Sequence, residues 1–173
     1  MLQTPIIAEH TAKLTARVGT PDDIDDLMAL ALAAVSDNGF MEADPAKLLR
    51  AIYPALCQDH GIVGVIDEPD GTIQSAVLLH VTEHFYSNGL CLEEKSLFVH
   101  PDFRNAKGGR AARLAEFAKQ ASDVLGLPLL IGVLSNERTA AKVKLYTRTF
   151  GAPAGAFFLY NARTGSTCSG TEH

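Results

Sequence analysis

Leu97-Phe98-Val99-His100-Pro101-Asp102-Phe103-Arg104-Asn105-Ala106-Lys107-Gly108-Gly109-Arg110-Ala111 is the stretch on which the reading of this sequence turns. It describes the end of an apolar strand, a short loop with two glycines and the start of a helix. Pro101 cannot donate to a ladder and so closes the strand. Ala111, Leu114, Ala115, Ala118, Ala121 and Val124 continue the helix at its own period, with charge opposite and Gly126 just past the end. The chemistry suggested is anion binding. Free N–H groups and the positive dipole end at a helix N-terminus stabilise a phosphate, and glycine lets it approach the backbone closely. Arg104, Lys107 and Arg110 place three cations in the same loop. Neither G-x-x-x-x-G-K-[ST] nor G-x-G-x-x-G fits here, and an ordinary solvated strand-to-helix loop remains the plain alternative.

Working outward, Leu14 to Val18 reads as a first strand. Thr20-Pro21 then gives a cap and a first helical position, with Asp23 completing the box. Ile24, Leu27, Met28, Leu30, Ala31 and Ala34 recur at helical spacing up to Asn38-Gly39. Asp44-Pro45 repeats the start signal for a second amphipathic helix through Leu48, Leu49, Ile52 and Leu56. Gly61 to Asp67, Thr72 to about Tyr86, and Leu90 to His100 are three strands separated by turn residues, an antiparallel meander. Leu129 to Leu134 is a continuous apolar run, predicted as a strand buried on both faces. Thr139 to Phe150 is helical by period, and the Phe-rich segment Gly155 to Tyr160 reads as a last strand. The predicted fold class is α+β: a mixed, mostly antiparallel central sheet with helices on both faces. One domain spans 14–160, after an N-terminal extension 1–13 and before a polar tail 161–173 that is expected to be disordered.

Composition narrows the function classes. The chain has 173 residues, 47% apolar and 20% charged, enough for one well-buried core without disulfides or a structural metal. Its net charge of −5 disfavours non-specific binding to nucleic acid or to an anionic membrane. Cys57, Cys91 and Cys168 form no C-x-x-C pair, which predicts a cytoplasmic protein. The first residues have no secretory pattern, and no apolar run is long enough to span a membrane. His80 and His84 lie four apart on a strand with no third ligand nearby, so no metal is predicted.

The central stretch resembles the acyl-CoA signature of the GNAT superfamily of N-acyltransferases, V-x-P-x-x-[RQ]-x-x-G-x-[GA] between the fourth strand and third helix. Val99, Pro101, Arg104 and Gly109 match it, while Lys107 stands where the family has its first glycine. Asn136, Tyr146 and Phe150-Gly151 resemble a further family pattern, with a longer Asn-to-Tyr spacing and the Phe-Gly order reversed. The resemblance implies that backbone groups of Leu97, Phe98 and Val99 pair with a pantetheine arm, like an added strand. It implies that amides of Ala106, Lys107, Gly108, Gly109 and Arg110, with Arg104, hold a pyrophosphate, and that Asn136 touches pantetheine. Tyr146 would protonate the departing CoA thiolate.

Transfer to an amine requires a proton acceptor, and Glu93 is the candidate base, six residues before the motif valine where some members of the family carry a basic glutamate, with Glu94 in reserve. Strict alternation along the strand groups Glu93 and Lys95 with Leu97 and Val99, and Glu94 with Ser96 and Phe98. The resemblance thus implies an N-acetyltransferase moving an acetyl group from acetyl-CoA, as cosubstrate, to a primary amine of a small molecule or protein. The alternatives are a degenerate, CoA-binding domain that senses without catalysis and an interaction domain that keeps only the fold. A homodimer is compatible with either class.

Overall fold

In a computed structural model, residues 16–104, 108–135, 138–158 and 160 are described. The N-terminal extension, the polar tail, Ala106, Lys107 and Asn136 lie outside these residues. Five strands, β1 (Arg17–Val18), β2 (Gly61–Asp67), β3 (Ile73–Glu83), β4 (Leu90–Val99) and β5 (Leu129–Leu130), lie side by side in sequence order. Short turns join β2 to β3 and β3 to β4, so these neighbours are antiparallel. β5 returns through a helix, and among the described strands it alone pairs parallel.

Helices α1 (Ile24–Asn38) and α2 (Pro45–Leu56) bury Leu27, Leu30, Ile52 and Leu56 against one face of the sheet. On the other face, α3 (Arg110–Leu125) buries Leu114, Phe117 and Ala118, and α4 (Thr139–Phe150) contributes Tyr146. The structure is therefore the mixed, mostly antiparallel α+β sheet with helices on both faces that the sequence predicts. Local chemistry sets the helix ends. The Asp23 carboxylate accepts from the Thr20 N–H at 2.7 Å, and Asp44 accepts from Ala46 and Lys47 N–H at 2.9 and 3.1 Å.

Two sequence expectations are corrected. β5 comprises only Leu129 and Leu130, and Leu130 is 42% exposed, so the apolar run to Leu134 is not a doubly buried strand. It sits at the sheet edge with one partner, and its ladder with β4 ends at Glu93. The segment from Gly155 to Phe158 is not a strand either. Phe157 and Phe158 are 70% and 94% exposed, and none of residues 155–158 pairs with the sheet.

The seat of α3 depends on one close approach. A Cβ at Gly64 of β2 would meet the Phe117 ring at 2.5 Å, and Phe117 is fully buried. Gly64→Ala should therefore destabilise the fold by about 1–3 kcal/mol, the usual cost of overpacking a core. Thermal unfolding checks this, and Phe117→Leu in the Gly64→Ala background should recover part of the loss.

Candidate functional site

The ladder between β3 and β4 slips once. Leu78 pairs with Ser96 and Leu79 with Glu94, which leaves Lys95 as a bulge. The slip overturns the predicted faces. Leu97 and Val99 are buried on the α3/α4 side together with Leu92, so Glu94, two residues from Leu92, shares that side. There the Tyr146 hydroxyl donates to Glu94 Oε2 at 2.7 Å. Glu93 falls on the α1/α2 side, where its carboxylate accepts from Lys95 Nζ at 2.5 Å and from Thr82 Oγ1 at 3.4 Å.

Burial raises the Glu94 carboxyl above the usual carboxylate range, opposed by the Tyr146 hydrogen bond and the Lys142 charge. Burial and the neighbouring Glu94 charge push the Tyr146 phenol well above its ordinary value, so it stays protonated. Burial also lowers the Lys142 ammonium, with Arg104 and Arg138 adding to the effect and Glu94 and Asp37 opposing it.

Between β4, the start of α3 and α4 lies a cleft of about 190 Å³. Leu97, Phe98, Val99, Arg104, Gly109 and Arg110 all line it, so the structure brings six of the sequence-derived binding residues together. Gly108 precedes them in the loop, with φ of 125° followed by 57° at Gly109, backbone angles that favour glycine at both positions. Gly109 is the N-cap of α3 and offers no side chain to its first N–H groups, which leaves these amides for an anion.

Among the described residues cations outnumber acids in this cleft despite the chain's net charge of −5: Arg104, Arg110, Arg138 and Lys142 line it, against Asp37. Arg104 is anchored by Nε to the Val99 carbonyl at 2.8 Å and by Nη2 to Asp37 at 2.6 Å, and it lies over the Phe98 ring. Arg110 forms a bidentate pair with Glu68 of the β2–β3 turn and lies over Phe103. Glu68 is 5% exposed, so this pair is nearly dry. Sequence reasoning missed Arg138 and Lys142. Their signal was available, since two cations four apart at the start of a helix share the face that carries Tyr146 one turn later.

No family model matches the chain, and comparison with curated proteins finds no match. Solved structures do match. An integron cassette protein from the mobile metagenome of Cole Harbour Salt Marsh superposes with a TM-score of 0.66 at 22% identity, covering 89% of this chain and 95% of that one. The aminoglycoside N-acetyltransferase AAC(6')-Iy, solved in complex with CoA, gives 0.63 at 18% identity over 85% and 93%. A possible acetyltransferase from Clostridium difficile 630 gives 0.62 at 16% over 84% and 95%. The fold is that of the GNAT-like acetyltransferases.

The buried carboxyl gives a test with a definite sign. A carboxyl whose pKa is raised by folding costs stability once the pH exceeds that raised value, and costs nothing below its unfolded value. Glu94→Gln should therefore raise the melting temperature at about pH 8 and leave it near that of the parent at about pH 3. Melting curves at the two pH values measure the difference.

Proposed function

We propose that this chain is an acyl-CoA-dependent N-acetyltransferase that moves an acetyl group from acetyl-CoA directly to a primary amine. The observation that carries this reading is the cleft at the end of β4, where the uncapped start of α3 faces a surplus of cations. A pyrophosphate suits such a site by charge and by hydrogen bonding. The edge of β4 beyond Glu93 carries no β5 ladder, which supports backbone pairing of Leu97 to Val99 with a pantetheine arm.

The bulge divides the chemistry between two faces. On the α1/α2 side, Glu93 accepts a proton from the incoming amine, directly or through water. The amine nitrogen bonds to the thioester carbonyl carbon, backbone N–H of β4 stabilises the carbonyl oxygen, and the C–S bond breaks. On the α3/α4 side, Tyr146, held by Glu94, gives its proton to the CoA thiolate. A second reading, CoA binding without transfer, is favoured by the same hydrogen bond, since it already commits the Tyr146 proton to Glu94.

Calorimetric titration with acetyl-CoA, beside CoA and ATP, tests the binding. Micromolar affinity for acetyl-CoA without comparable affinity for ATP is expected, and no binding would defeat the proposal. The double variant Arg138→Ala, Lys142→Ala should weaken acetyl-CoA about tenfold or more and flatten the dependence of its affinity on salt. Catalysis separates the two readings. Glu93→Gln and Tyr146→Phe should each lower kcat by about 10²-fold in an assay of thiol release. Tight binding with no thiol release from any amine would select the second reading.

A further inference from the structure

A second cavity, of about 280 Å³, opens on the opposite face of the sheet between α1, α2 and the strands. Its walls include Leu30, Leu48, Ile52 and Leu78, and apart from Asn38, Lys95 and Ser96 every described residue lining it is apolar. The polar side chains lie at two places. Lys95 and Ser96 face this cavity together because the bulge turns two consecutive residues to one side, and Asn38 ends α1. Asn38 and Phe98 also line the cationic cleft, so the two cavities meet there.

We infer that this cavity holds the body of the acceptor, and that the acceptor is a monoamine with a compact apolar body rather than a polycation. The inference rests on the acyl-CoA reading of the neighbouring cleft. Size supports the class: an apolar cavity of about 150 Å³ takes a benzene ring, so 280 Å³ takes one ring with a short chain. Charge supports it as well. Among the described residues no Asp or Glu lines the cavity and the one ionic lining residue is a lysine, so further ammonium groups on a substrate would be desolvated with nothing in that lining to balance them. The Glu93 carboxylate, outside the cavity lining and paired with Lys95 at the bulge, would serve a single amine. An amino sugar with several ammonium groups, such as the sisomicin bound by one structural neighbour, lacks partners here.

The test is calorimetric titration of the full chain with phenylethylamine and, separately, with sisomicin, each with and without saturating CoA. Phenylethylamine should bind at least about tenfold more tightly than sisomicin. Ala31→Trp, which fills the cavity from α1, should abolish that binding while CoA affinity and the melting temperature stay near the parent values. Leu48→Ala, which enlarges it, should shift preference to naphthylethylamine. Tighter binding of sisomicin, or phenylethylamine binding unchanged by Ala31→Trp, overturns the inference. The arm without CoA reads the cavity alone, whereas loss of CoA binding in the parent chain would count against the acyl-CoA reading instead.

Discussion

A single unpaired residue in a β-ladder organises this molecule. Because Lys95 has no partner on β3, the alternation of β4 side chains shifts by one residue across it, so that Leu92 and Glu94 share a side with Leu97 and Val99. Glu94 is thereby delivered to Tyr146 on the side of α3 and α4, while Lys95 and Ser96 both turn toward α1 and α2. The ladder with β5 stops at Glu93, one residue short of the slip's near edge, and among the described residues the edge of β4 beyond it has no strand neighbour. Two cavities on opposite faces, a shared wall at Phe98 and an open backbone edge all lie around that one irregularity.

The charges are organised as economically. A sequence with five more acids than bases still gathers four cations around one cleft. Two of the four are balanced by partners brought from elsewhere in the chain, Asp37 at the end of α1 and Glu68 at the β2–β3 turn. The cations therefore coexist without the full mutual repulsion that four unpaired charges would create at such range. Arg138 and Lys142 approach from α4, on the far wall, so the cleft is cationic on both sides rather than on the loop alone.

What the sequence revealed follows from which interactions are local. Asp44-Pro45, Asn38-Gly39 and Gly126 mark helix ends through contacts within a few residues, and those helices form where the pattern puts them. The glycines before α3 are equally local, and the residues of that loop that match the motif, Arg104 and Gly109, line the cationic cleft. Leu129 to Leu134 misled because an apolar run measures burial demand and not the length of the available partner. Glu93 and Glu94 could not be told apart for the same reason: their faces depend on register with β3, set by residues about fifteen positions away. Glu68 was invisible as the partner of Arg110, being 42 residues distant and unremarkable in its own turn.

The pairing of Glu68 with Arg110 also defines the smallest transplantable version of the loop. The Arg110 guanidinium donates through Nε and Nη2 to the Glu68 carboxylate, which is almost fully buried, and removing Arg110 would leave that carboxylate without its partner. A segment copied from Val99 to Leu114 onto another scaffold would carry the glycines and the cations but leave Glu68 behind. The module is discontinuous, a loop plus a distant hairpin turn, and its ion pair forms only when both pieces travel together.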